Sequence, residues 1–114
     1  MIITNQSKNT TLTDQAKVAN TFFSRLKGLL GSPPLVKGQG LLLKNEKSIH
    51  TFFMSFSIDV LYIDKELRVI KIDYETPPYR LGSYVTKSAY ILELPAGMAR
   101  QTDTTVGDQL EFLS

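Results

Sequence analysis

Three polar side chains stand where polar side chains are costly, and they define the chemistry this chain could perform. His50 lies in Ser48-Ile49-His50-Thr51-Phe52-Phe53-Met54, Asp59 in Ile58-Asp59-Val60-Leu61-Tyr62-Ile63, and Arg25 in Phe22-Phe23-Ser24-Arg25-Leu26. Asp59 is the most informative. Side chains alternate across a strand, so Ile58, Val60 and Tyr62 share one face and Asp59, Leu61 and Ile63 the other. Both sets are largely apolar, which predicts a strand covered on both sides. A carboxylate there needs hydrogen bonds or an ion partner, because an unpaired buried charge costs several kcal/mol. His50, expected in the neighbouring strand, and Arg25 are the partners this pattern suggests.

An imidazole backed by a carboxylate is the composition of a general acid/base pair. With Ser48, Ser55 or Ser57 it would also supply the parts of a nucleophilic triad. Arg25 would offer an anion a fixed cationic fork. Phe52, Phe53, Met54 and Phe56 would rim a pocket with a polar floor, the usual make-up of a small-ligand site. The expected binding residues are Arg25, His50, Thr51, Phe52, Met54 and Asp59. The alternative for the same residues is a buried polar network that sets strand register.

Other chemistries are excluded or lack their motifs. The chain has no cysteine and one histidine, so disulfides, iron–sulfur clusters and thiolate zinc sites are ruled out. Asp59, Asp64 and Asp73 do not follow a calcium-loop pattern. Gly28, Gly31, Gly38 and Gly40 do not have phosphate-loop spacing, and no Gly-x-Ser-x-Gly elbow occurs. No metal and no cofactor are expected.

The 114 residues suit one domain, residues 1–114, with a core that needs no staples. Net charge is +2. Residues 1–57 hold seven basic and two acidic side chains, and residues 58–114 six basic and nine acidic. The halves are expected to attract one another within one fold. No cluster of basic residues interleaved with aromatics points to nucleic acid. No apolar run approaches a membrane span or a signal peptide, so no membrane contact and a cytoplasmic location are expected.

The elements that would position these residues are mostly strands. Phe22, Leu26, Leu29 and Leu30 recur at helical spacing, predicting one short helix over 22–30, capped by Asn20 or Thr21 and stopped by Gly31 and Pro33. Beyond residue 39 the pattern is β. Gly40–Leu43 and Ile49–Met54 read as apolar runs, and Ile58–Ile63 forms a hairpin with Leu67–Ile72 across Asp64-Lys65-Glu66. Ser83–Val85, Tyr90–Leu94 and Gln109–Leu113 are later strands; Ile2–Ile3 and Lys17–Ala19 are weaker ones. Short strands broken by turns every eight to twelve residues predict a mainly-β fold, a compact antiparallel sandwich or barrel. Glu93-Leu94-Pro95-Ala96-Gly97 and Gly107-Asp108 read as structural corners, with Gly97 in a turn and Asp108 bonding turn backbone.

Taken together, these residues resemble the prokaryotic family known as domain of unknown function number 192. The likeness rests on Phe22-x-x-Arg25-x-x-Gly28-Leu29-Leu30-Gly31, Gly40-Leu41-Leu42-Leu43, Ile49-His50-Thr51-Phe52-Phe53-Met54, Ile58-Asp59-Val60 with Asp64, Leu92-Glu93-Leu94-Pro95-Ala96-Gly97 and Gly107-Asp108, in that order over about residues 16–112. It implies a mainly-β domain with a short helix, and no established activity, substrate or cofactor. Many members carry a cysteine shortly before the Ile-His segment. Asn45-Glu46-Lys47 stands there in this chain, so a thiol-based role is excluded. Some members carry export segments, and this sequence shows none. The likeness strengthens Arg25, His50 and Asp59 as one cluster.

The leading functional reading is a non-enzymatic binding or accessory domain for a small anionic or amphipathic ligand or a peptide. One alternative is a small enzyme using His50 with Asp59 as general acid/base. The other is a pocketless protein-interaction domain presenting Phe52, Phe53, Phe56 and Tyr79. Oligomeric state is left open by the sequence.

Overall fold

The computed structural model describes residues 1–19, 33–51 and 54–114. The helix expected over 22–30, with Arg25, and the aromatic pair Phe52-Phe53 lie outside the described residues.

Eight strands are present among the described residues: β1 Ile2–Asn5, β2 Thr10–Thr13, β3 Gln15–Ala19, β4 Gln39–Lys44, β5 Ile58–Ile63, β6 Val69–Thr76, β7 Tyr90–Pro95 and β8 Leu110–Leu113. They form a three-stranded sheet, β2-β1-β8, and a five-stranded sheet, β3-β4-β7-β5-β6. All pairings are antiparallel except β3 with β4, which is parallel. The expected mainly-β class is therefore observed as two sheets, a sandwich rather than a closed barrel, with one parallel pair. The one helix among the described residues is α1, Met98–Gln101, a single turn that the sequence pattern did not suggest.

The strand pattern explains the layers. Leu42, Leu61, Ile63, Leu92 and Leu94 of the large sheet pack against Ile3, Leu12 and Leu110 of the small one, and Met98 and Ala99 of α1 join this first core. The opposite face of the large sheet carries Ala19, Leu41, Leu43, Ile58, Val60, Tyr62 and Ile91. Loop residues Leu35, Ile49, Met54, Phe56 and Val85 cover it, forming a second core. Burying both faces is why β5 is buried at all six positions, as its two apolar sets predict.

The β5–β6 hairpin follows its turn chemistry. Asp64 Oδ1 accepts the backbone N–H groups of Glu66 (3.0 Å) and Arg68 (2.9 Å), closing the turn with Leu67 at φ 64°. The ladder shifts register between Ile58 and Val60, where Glu75 takes φ 47°, as in a bulge.

Two expected strands are not seen among the described residues. Of the Ile49–Met54 run, residues 49–51 contribute only an isolated bridge, His50 with Leu81, because Thr51 is tied into the loop that follows β6. Thr51 N–H donates to Arg80 O (2.8 Å), Tyr79 N–H donates to Thr51 O (2.9 Å), and Thr51 Oγ1 donates to Pro77 O (2.7 Å). Ser83–Val85 is also loop, because Ser83 bonds Asp73 and Val85 N–H donates to Lys47 O (2.9 Å). In return, polar β2 is a strand the sequence reading did not identify.

Candidate functional site

Asp59 is fully buried on the first-core face of β5. Among the described residues, its carboxylate bonds backbone N–H groups rather than an imidazole or a guanidinium. Oδ1 accepts the N–H of the bulge residue Glu75 at 2.8 Å. Oδ2 accepts the N–H of Gly97 at 3.1 Å and of Ala99 at 2.8 Å. Gly97 sits at φ 94° in the turn that ends β7, a conformation glycine adopts without Cβ strain. One side chain thus clamps a bulge, a turn and the start of α1, which is why a carboxylate persists inside an apolar strand.

The segment expected to rim a pocket lies over the other face. Met54 is buried in the second core, Thr51 is buried in its loop, and His50 is exposed. His50 and Thr51 therefore ride on the cover of the second face, whereas Asp59 belongs to the first. The expected pairing of Asp59 with His50 gives way to pairing with backbone, because a strand's alternation sends Asp59 away from the side that this segment covers.

The second face holds a polar group that the sequence reading treated only as part of a corner. Glu93 lies in β7 between Leu41 of β4 and Val60 of β5, its partners in register. It is 4% exposed, and among the described residues its Oε2 has no hydrogen-bond partner. Burial alone pushes its carboxyl up to about 8. The signal was present: Tyr90-Ile91-Leu92-Glu93-Leu94 alternates as the β5 run does, with one carboxylate on an apolar side.

Nearby groups on this face are polar and paired. Tyr62 donates its hydroxyl to Asp73 Oδ2 at 3.0 Å. Asp73 also accepts Ser83 N–H (3.1 Å) and Ser83 Oγ–H (2.9 Å), drawing the 80s loop onto the sheet. Burial, then the charge and hydrogen bond of Asp73, hold the Tyr62 phenol above its ordinary range, and the Glu93 charge adds to this. Gly82 fits here because a Cβ would lie 2.8 Å from Tyr62 Oη and 3.0 Å from Ile49 O.

A second buried carboxylate cluster is structural. Asp108 Oδ2 accepts from Asn5 Nδ2, Lys8 Nζ and Thr105 N–H, each at 2.9 Å. This joins β1 to the turn before β8, the turn-backbone role expected for Asp108. Among the described residues, no group of three histidine, aspartate or glutamate side chains is arranged to hold a metal ion. No helix among them is long and apolar enough to cross a membrane. Tyr79, Leu81 and Tyr84 are exposed on the cover loop.

Comparison with known proteins places this arrangement in context. A UPF0127 protein of Thermococcus sibiricus is 32% identical over 117 residues, covering 97% of this chain and 74% of the relative. The UPF0127 protein PH1112 of Pyrococcus horikoshii is 31% identical over 116 residues, covering 99% of this chain and all of its own. A crystal structure of a protein of unknown function from Novosphingobium aromaticivorans shares the fold with a TM-score of 0.81 at 18% identity, over 97% of this chain and 82% of that one. The family model of DUF192, described as "Uncharacterized ACR", matches residues 2–112, and with nearly the whole length accounted for, the chain belongs to that family.

Proposed function

We propose that this chain is a non-enzymatic binding module that takes a small amphipathic ligand or a peptide end against the second face of the five-stranded sheet. The observation that carries this reading is Glu93: a buried carboxyl whose Oε2 lacks a partner among the described residues, set in an apolar floor of Leu41, Val60 and Ile91. Natural cores rarely keep such a group, and sites that complete their hydrogen bonds with a ligand do. In this reading His50, Thr51 and Met54 contribute from the cover, joined by Arg25 and Phe52 as the sequence suggests. Asp59 supports from the opposite face by holding the turn that follows Glu93.

The enzymatic alternative is less favoured. The Asp59 carboxylate expected to back His50 as general acid/base is committed to three backbone N–H groups instead.

The test is amide and methyl chemical-shift mapping of the full chain against a small set of amphipathic amines, alcohols and acids and short peptides. Shifts gathered at Met54, Val60, Tyr62, Ile91 and Glu93 are expected. His50→Ala is expected to stay folded, within about 0.5 kcal/mol of the parent, and to bind more weakly. Shifts absent from this face for every probe would end the proposal, and unchanged affinity in folded His50→Ala would remove that residue from the site.

A further inference from the structure

The register across the five-stranded sheet sets Lys17, Leu41, Glu93, Val60 and Asp73 in one row on the second face. Glu93 stands at the centre. Lys17 is two strands away, roughly 10 Å by strand spacing, and exposed. Asp73, two strands away on the other side, is occupied by Tyr62 and Ser83. The immediate neighbours of Glu93 in its row, Leu41 and Val60, are apolar. Leu41 also borders a cavity of about 370 Å³ with Lys17, Leu35 and Val36.

Resting on the binding reading above, we propose that Glu93 anchors a ligand with a basic nitrogen, a primary amine or amidine on an apolar body. The physical argument is one of charge balance. Burial keeps the Glu93 carboxyl largely protonated at neutral pH, so it carries no unpaired buried charge. An ammonium group brought to Oε2 converts this neutral acid to a carboxylate in an ion pair, in surroundings that strengthen Coulomb attraction. The proton leaves to solvent. Leu41, Val60 and Ile91 receive the ligand's hydrocarbon part. An anionic ligand in the same place would have the Asp73 carboxyl across Val60 and, in this row, no cation nearer than exposed Lys17 two strands away. Among the described residues, Lys17 on β3 and Lys71 on β6 also face this side and His50 lies on the cover; all three are exposed.

Isothermal titration of the full chain with benzylamine, benzyl alcohol and benzoate, at pH 7 in buffers of different ionisation enthalpy, tests this. Benzylamine is expected to bind at least about tenfold more tightly than the other two. It should release most of one proton per ligand. Glu93→Gln should lose that preference while keeping its affinity for benzyl alcohol. Benzyl alcohol or benzoate binding as well as benzylamine would overturn the basic-nitrogen assignment and leave the binding reading standing. No heat and no chemical-shift change on the second face with all three would overturn both. Should Glu93→Gln fail to fold, carbon-13 titration of the Glu93 carboxyl decides: benzylamine is expected to lower its midpoint by more than about one unit, and an unchanged midpoint refutes the proposal.

Discussion

Asp59 and Glu93 stand on adjacent antiparallel strands one residue out of register, with Asp59 opposite Leu94 and Val60 opposite Glu93. Their carboxyls therefore leave opposite faces of the same sheet. Both are buried, and their environments differ completely. Asp59 receives three backbone N–H groups, while Oε2 of Glu93 receives none among the described residues. One carboxylate is part of the frame, and the other is buried with an oxygen unpaired among the described residues.

Removing Asp59 should damage the frame. Asp59→Ala leaves the buried N–H of Ala99 and the partly buried N–H groups of Glu75 and Gly97 without their acceptor, at a cost on the order of 3–5 kcal/mol. Asp59→Asn should cost less, since its amide oxygen still accepts. Urea denaturation measures both, and an alanine variant within 1 kcal/mol of the parent would contradict the clamp.

Glu93 should make stability depend on pH. Its folded value, about 8, lies above the ordinary 4.5. Between these values the folded state binds more protons than the unfolded, so stability falls as pH rises. The contribution is fully present below about 4.5 and lost through about 8, a loss of a few kcal/mol. Glu93→Gln should remove this slope, so the parent should lose stability relative to the variant between about pH 5 and pH 9. Parallel slopes for the two proteins in urea melts would refute the assignment.

Asp108 should behave with the opposite sign. Burial works to raise its carboxyl, but the hydrogen bonds of Asn5, Thr105 and Lys8 and the Lys8 charge outweigh burial and hold it below its ordinary value. Its contribution is present above the ordinary carboxylate range and lost as pH falls through the lowered folded value. Asn5→Ala should cost about 1–3 kcal/mol near neutrality. The gap from the parent should narrow in acid, which melts at a series of pH values would reveal.

Gly82→Ala should lift the cover loop. The new Cβ would press on Tyr62 Oη and Ile49 O, and the backbone oxygen has little freedom to yield. A cost of about 1–3 kcal/mol is expected. The Tyr62–Asp73 hydrogen bond should weaken and the phenol should titrate closer to its ordinary value. Ultraviolet titration of the tyrosines reads this, and an unchanged profile would show that the loop absorbs the methyl group.

The legible parts of this fold share a physical cause: they are short-range. The period-two pattern of Ile58–Ile63 reveals a strand covered on both sides, and Asp64 marks the hairpin turn beside it. Gly97 and Asp108 mark corners whose backbone needs are local. The start of the Ile49–Met54 run, residues 49–51, misleads because apolar residues are equally suited to a buried strand and to a loop laid over a sheet. Thr10–Thr13 is obscured by its polarity, and α1 is too short for any helical period to show.

By itself, the sequence determined that Asp59 would be buried and must be satisfied, because alternation places it on an apolar face and desolvation permits no bare charge there. Only the tertiary structure decided what satisfies it. Backbone N–H groups exist at nearly every residue and carry no sequence signature, so Glu75, Gly97 and Ala99 became its partners through a bulge and a turn distant in the chain. The same long-range pairing set Glu93 between Leu41 and Val60, which made an ordinary-looking glutamate the buried carboxyl of the second face.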